Sequence, residues 1–556
     1  MATEKTDTSP AGAAPSVAAP SDGRSSDSAA SDAAAGIAAG YATEGKALDL
    51  GAVVIDNVAH PTASVRLPLA MMNRHGLVAG ATGTGKTRTL QLLAEQLSAN
   101  GVAVVLADMK GDLSGLAEAG TATDRVTQRA AETGDDWTPT AYPVEFLALG
   151  GLGTGVPVRA TMTSFGPTLL AKVLNLNDTQ ESSLALVFHY ADSAGLPLLD
   201  LKDLRSVISY LTGEEGKADL KELGGLSGAT AGVILRKLIA LSDLGGDVFF
   251  GEPEWNTADL IRQASDGRGV ISAVELAAIQ DKPQLFSTFL MWLLADLFHD
   301  LPEVGDVDAP KLVFFFDEAH LLFNGASKAF LDAVTQTVRL IRSKGVGVFF
   351  VTQNPTDVPD SVLGQLGNRV QHALRAFTPD DATALKQAVR TYPKSDVYDL
   401  SELLTQMGTG EAVVTVLSER GAPTPVAWTR LLAPRASMNP LSAESQQQAV
   451  QASPLQATYG AAVDRESAYE KLAARLAPPP EPATPASAPA PAPSGGGGGG
   501  GSGSGGGGGG AAMDVGGVVG AVLGSSALRS FSRSAASALG REITRGMFGT
   551  ARRRRR

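Results

Sequence analysis

Gly80-Ala81-Thr82-Gly83-Thr84-Gly85-Lys86-Thr87 is the stretch whose reading decides the fold. The apolar run His75-Gly76-Leu77-Val78-Ala79 precedes it, and Leu90, Leu93 and Leu97 follow at helical spacing until Asn100-Gly101. Strand, glycine loop and helix, in that order, are the context that a G-x-x-x-x-G-K-[ST] match requires. Glycines let the backbone wrap close to a polyphosphate, so that its N–H groups and the helix N-terminus face the negative charge. On this reading Gly80, Ala81, Thr82, Gly83, Thr84, Gly85, Lys86, Thr87 and Arg88 form a nucleotide-binding segment. Lys86 reaches the β- and γ-phosphates of ATP, and the Thr87 hydroxyl ligates Mg²⁺.

Downstream, Val102-Ala103-Val104-Val105-Leu106-Ala107 is a continuous apolar run ending at Asp108, as suits a parallel strand covered on both faces. Strand, helix and strand at this spacing make a βαβ unit whose ligands sit beyond the strands' carboxyl ends. Asp108-Met109-Lys110-Gly111-Asp112 is therefore expected near the phosphates. A second run, Lys311-Leu312-Val313-Phe314-Phe315-Phe316, ends in Asp317-Glu318. A magnesium-dependent nucleoside triphosphatase uses such a pair, with Asp317 on the metal and Glu318 orienting and deprotonating the attacking water. The strand before the glycine loop and the strand ending in Asp317-Glu318 are expected to finish side by side. A third run, 346 to 351, ends in Thr352-Gln353-Asn354-Pro355, where the Gln353 amide is placed to contact the γ-phosphate or its water.

The fold class that follows is α/β: a P-loop core with a mainly parallel sheet over residues 45–435, carrying a helical insertion at about 165–245. Other strands are expected at 48–55, 65–69, 143–149, 156–161, 269–274, 373–377, 412–417 and 424–428. Strongly apolar or amphipathic helices are expected at 285–298 and 330–343. Residues 1–44, rich in Ala, Ser, Asp and Pro, read as a disordered arm. Residues 436–476 read as a polar helical segment with Ala468, Leu472 and Leu476 on one face. Residues 477–512 form a Pro/Ala and then Gly/Ser linker. From 513 to 556, Leu528, Phe531, Ala535, Leu539, Ile543 and Met547 alternate with an arginine stripe. This basic amphipathic tail leaves four readings: an anionic membrane, nucleic acid, docking on an ATPase core, or a solubilising tail.

Charge and composition narrow the classes. The net charge is −12, but nine arginines against Asp514 and Glu542 give residues 513–556 a net +7, leaving −19 for the rest. A coat of nucleic-acid-binding surface is thereby excluded, though a local basic channel is not. The chain has no cysteine, which excludes disulfides, zinc-thiolate sites and thiol catalysis. The N-terminal stretch lacks a basic and apolar signal pattern and no run of eighteen apolar residues occurs, so a cytoplasmic location is expected.

Three longer blocks carry a resemblance. They are Ala107-Asp108-Met109-Lys110-Gly111-Asp112-Leu113-Ser114-Gly115, Asp317-Glu318-Ala319-His320-Leu321-Leu322-Phe323, and Thr352 to Pro359 together with Leu366 to Phe377. In this order they resemble bacterial HerA-like ATPases, related to the HerA and FtsK translocases, over about 45–435. The resemblance implies a RecA-like core assembled as a hexameric ring of identical subunits acting on double-stranded DNA, with ATP at subunit interfaces and an arginine supplied in trans. Arg342, in Ile341-Arg342-Ser343-Lys344-Gly345, is its first match, with Arg369 and Arg375 as alternatives. Loop 108–115 then becomes a candidate pore lining. About 35 residues between the arm and Gly80 are too few for the N-terminal barrel through which HerA docks a nuclease. Remodelling of proteins or membrane complexes, and a nucleotide-dependent scaffold, are the competing functions. The Glu318 base argues against the scaffold. Asp317-Glu318-Ala319-His320 also spells a helicase box, but 231 residues separate Lys86 from Asp317, far more than those helicases use.

Overall fold

The structure, a computed structural model, describes residues 23–477 apart from 223, 306 and 325–327. The linker, the basic tail of 513–556 and residues 1–22 of the arm lie outside the described residues. Among the described residues twelve strands form one sheet: β1 (Ala47–Ile55), β2 (Val58–Pro68), β3 (Gly76–Ala79), β4 (Ala103–Asp108), β5 (Val144–Leu149), β6 (Val156–Val158), β7 (Ile271–Glu275), β8 (Leu312–Phe316), β9 (Val346–Thr352), β10 (Asn368–Gln371), β11 (Glu411–Thr415) and β12 (Ala427–Leu431). Their order is β2-β1-β12-β11-β10-β3-β9-β8-β4-β7-β5-β6. Neighbours from β10 to β6 are parallel, and those from β2 to β10 antiparallel.

The central strands are apolar along their whole length because helices cover both faces. Every residue of β4, β8 and β9 is buried. Rings from adjacent strands meet across the ladder: Phe315 and Phe349 at 5.2 Å, Phe316 and Phe350 at 5.7 Å. Such cross-strand aromatic pairs lock register, and here register decides which side chains leave the sheet together. Between β6 and β7 the chain runs through helices from Met162–Phe165 to Asp247–Phe249, the expected insertion.

Several sequence expectations are corrected. Residues 23–44 are not a disordered arm: Gly23–Ala39 is a helix, and Ala34, Ile37 and Tyr41 are buried against β1 and β2. The Tyr41 hydroxyl donates to the carbonyls of Val414 and Pro425 at 2.8 and 2.6 Å. An alanine-rich stretch has high helix propensity, and Ala30, Ala33 and Ala38 pack on the same core beside Ala34, Ile37 and Tyr41. The strand expected at 373–377 lies earlier, at β10. Its Asn368 is buried yet donates to the carbonyls of Met71 and His75, so a polar residue sits in a core strand with its bonds made. The alternation at 373–377 misleads, because Arg375 and Phe377 are exposed. The last strand runs at 427–431 rather than 424–428.

Residues 436–476 form three helices, Ala443–Ala452, Gln456–Tyr459 and Ala468–Leu476. They run as a strap over β5, β6 and the insertion, held by the Trp255–Tyr459 ring contact at 4.4 Å and by Arg159 on the Tyr459 carbonyl at 2.9 Å. Ala468 and Leu472 face inward, whereas Leu476 is exposed. Where the strap begins, the buried Glu95 carboxylate accepts from the Arg435 and Ala436 amides at 2.8 and 2.9 Å.

Candidate nucleotide site

The glycine loop leaves the C-terminal end of β3 and enters the helix Lys86–Ala99. Two glycines are dictated by geometry. Gly80 has φ 151° and a Cβ there would sit 2.5 Å from His372 Cβ; Gly85, at φ 114°, is the left-handed residue that starts the helix. No side chain caps that helix, and the Arg88 and Thr89 amides already bond the Gly85 carbonyl, which leaves the amides before them to an anion. The loop is braced from the other side of the sheet. The Gly410 amide donates to the Thr84 carbonyl at 2.9 Å, Arg129 holds the Gly410 carbonyl at 2.8 Å, and the buried His372 pairs with the Thr89 hydroxyl at 2.8 Å. Burial, with Lys86 nearby, lowers the His372 pKa to about 4, so this brace is a neutral imidazole.

Sheet order brings the other groups in. The strand bearing the glycine loop and the strand ending in Asp317-Glu318 do not finish side by side: β9 runs between β3 and β8, and Gln353 leaves its end. On the far side of β8, β4 delivers the 108–112 turn. Asp108 is buried and its carboxylate accepts from the amides of Lys110, Gly111 and Leu113 at 3.1, 2.7 and 2.9 Å, which fixes the turn. Lys110 then forms an ion pair with Glu318 Oε1. His320 Nδ1 lies 3.2 Å from Glu318 Oε2, and Gln353 Nε2 donates to that same oxygen at 3.5 Å. Glu318 itself sits at φ 48°, a conformation costly for a residue with a Cβ and common at functional sites.

The charges are arranged in opposition. Burial, with Glu318 beside it, raises the Asp317 pKa to about 7. Burial works in the same direction on Glu318, yet Lys110, His320 and Gln353 hold its pKa below the ordinary value. Two neighbouring carboxylates pushed apart in this way take different roles. Here Glu318 is held ionised, while Asp317 is held close to its neutral form. Burial lowers the Lys86 pKa, with the charges of Glu318 and Asp317 opposing and that of Lys110 adding. Lys86 Nζ donates to the Gly80 and Ala81 carbonyls at 2.6 and 3.1 Å, folded onto its own loop.

These residues fit a magnesium triphosphate. Asp317 Oδ2 is buried without a hydrogen-bond partner among the described residues. A Cβ built at Gly83 meets nothing within 4 Å, so the loop's mouth is open. Thr87 lies on the first helical turn with Lys86. Arg88 is turned aside, donating to Gln91 Oε1 at 2.7 Å. Arg342 lies at the opposite edge of the sheet, in the turn Arg342–Lys344 that leads into β9. Arg369, in β10, donates to the Thr391 carbonyl at 3.3 Å, and Arg375 is exposed beyond β10's end. Lys110's ion pair, His320, His372 and Gly410 were not singled out as site residues by the sequence.

A profile of the family described as helicase HerA-like C-terminal matches residues 55–556. The chain belongs to that family. It is a P-loop ATPase fold, as the glycine loop and the β8 carboxylates require. No curated protein matches the sequence. Similar solved structures include the bacterial conjugative coupling protein TrwB in its unbound form, at 16% identity and a TM-score of 0.47 over 73% of this chain and 94% of that one. TrwB in complex with ADP and Mg²⁺ gives the same values. VirB4 of Thermoanaerobacter pseudethanolicus shares 14% identity, with a TM-score of 0.44 over 73% of this chain and 99% of that one.

One neighbour of the site yields a stability prediction. Glu275, at the end of β7, is buried; burial, with the charge of Asp108 adding and Gln446 opposing, raises its pKa from 4.5 to about 7. The folded chain thus prefers the neutral acid. That preference stabilises the fold fully below the unfolded pKa and is lost as pH rises through about 7. Glu275→Gln is expected to gain on the order of 2 kcal/mol over the parent at about pH 8 and nothing at about pH 4. Thermal melts at the two pH values check this: a variant that melts lower at the higher pH would refute it.

Proposed function

We propose that the chain is an ATP-hydrolysing motor of the HerA type, working as a ring of identical subunits on double-stranded DNA. The observation that carries the hydrolytic reading is the convergence of Lys86, Asp317, Glu318 and Gln353 at one edge of the sheet. Lys86 and the loop amides bind the phosphates, and Glu318 takes the proton of the attacking water while Gln353 orients it. Thr87 and Asp317 hold Mg²⁺, which supplies neutralisation of the phosphate charge. TrwB, similar in fold, is described in complex with ADP and Mg²⁺.

Family membership supports the ring and the DNA substrate. Of the candidate pore loop 108–115, the chain leading into the strap covers the far end at Ser114 and Gly115, while Lys110 stays exposed. The Leu441 amide donates to Ser114 Oγ at 3.0 Å, and a Cβ at Gly115 would sit 2.1 Å from the Asn439 carbonyl oxygen. Among the described residues no helix is long and apolar enough to cross a membrane. A cytoplasmic location, with the basic tail of 513–556 reaching a membrane or partner, completes the proposal.

The test is the ATPase rate of the purified full chain with and without duplex DNA. Stimulation is expected at about 50 mM salt and should be largely lost at about 200 mM, as counterion release demands. Turnover that duplex DNA leaves unchanged at low salt removes DNA from the proposal and leaves the ATPase.

A further inference from the structure

Both oxygens of the proposed base are engaged. Oε1 of Glu318 carries Lys110, while Oε2 carries His320 and Gln353. An ammonium bound to a carboxylate lowers its basicity toward a water, so the base strengthens when that partner leaves. Lys110 and Gln353 are both exposed and His320 is half-buried, and of the exposed pair only Lys110 carries a charge that a phosphate attracts. The Lys110 side chain is 46% exposed and ends in a flexible ammonium, whereas that of His320 is 26% exposed on a short stem. Lys110 also feels the charges of Asp317 and Asp112, and it acts on Lys86. Its ammonium therefore stands among the groups assigned to the phosphates, carried there by a turn that Asp108 ties down through three amides.

We propose that Lys110 is a positioning residue that makes the base answer to the terminal phosphate. It holds Glu318 in an ion pair until a triphosphate enters, then crosses to the γ-phosphate and frees Oε1 for the water. A diphosphate offers no third phosphate, so the ion pair persists and the base stays engaged. The inference rests on the nucleotide site proposed above and adds a discrimination between ATP and ADP.

The experiment measures binding of ADP and of a non-hydrolysable ATP analogue to the full chain with Mg²⁺. Lys110→Met keeps the length of the side chain and loses its charge. It is expected to weaken the analogue about tenfold, the worth of one charge-assisted hydrogen bond, while ADP changes less than about twofold. Lys110→Arg should keep most of the analogue's affinity. Glu318→Gln releases the lysine beforehand and is expected to bind the analogue several-fold more tightly; adding Lys110→Met should erase that gain. Equal weakening of both nucleotides by Lys110→Met overturns the inference, as does no change in either, or a Glu318→Gln gain that survives the loss of the lysine. Failure of the parent chain to bind any nucleotide is a different result: it removes the site itself, and this inference with it.

Discussion

Glu318→Gln is expected to bind ATP and keep it while turnover falls at least about a hundredfold, the usual range for loss of a general base. The amide has the size of the carboxylate and can still accept from Gln353, so the pocket's shape survives. It cannot take a proton from water, and it no longer attracts Lys110. Nucleotide retained on the protein after gel filtration, with phosphate release at background, would match. Turnover at the parental rate would show that another group activates the water. The buried pair is asymmetric enough to make the choice of residue specific. Asp317 has its pKa raised to about 7, and Glu318 is kept ionised by Lys110. A swap of roles would need the charge pattern of the site to be inverted.

How much of this was legible in sequence depends on how far apart the cooperating residues lie. The glycine loop is contiguous, so its spacing alone carries the phosphate reading. Asp317-Glu318 and Gln353 are each read from an apolar strand that ends in a polar residue. That pattern gives the end of the sheet but not the neighbour, and the order β3-β9-β8-β4 had to come from the fold. Only that order puts the turn after β4 against Glu318 and makes Lys110 its partner. The braces behind the loop lie beyond local pattern altogether. His372 is 283 positions from Thr89, and Arg129 is 281 from Gly410. Hydropathy also misplaced β10, because Asn368 is a buried polar residue bonded inside the fold and Gln371, buried as well, donates to the His372 carbonyl. Composition misjudged the arm for the opposite reason. Low complexity suggests disorder, yet Ile37 and Tyr41, with the alanines packed beside them, seat an alanine-rich helix on β1 and β2.

Arg342→Ala is expected to lose ATPase activity by about a thousandfold, as the loss of an arginine supplied in trans does elsewhere, and to leave nucleotide binding nearly intact. The sheet separates Arg342 from its own glycine loop. β3 and β9 are parallel, with Ala79 opposite Thr352, so the loop lies beyond the end of β9 while Arg342 lies before its start. The seven residues of β9 span about 20 Å. That is farther than an arginine side chain reaches, so Arg342 cannot act at its own glycine loop and any catalytic role it has must be on a neighbour's. In a head-to-tail ring each subunit presents its glycine loop to one neighbour and its Arg342 edge to the other. A mixture then distinguishes the trans role from a structural one. Arg342→Ala subunits keep Glu318, and Glu318→Gln subunits keep Arg342, so co-assembled rings should regain activity at about one interface in four. Each variant alone stays inactive. If mixed rings are as inactive as their parents, Arg342 does not serve a neighbour's site, and Arg375, exposed beyond β10 on the loop's own side of the sheet, becomes the arginine to replace.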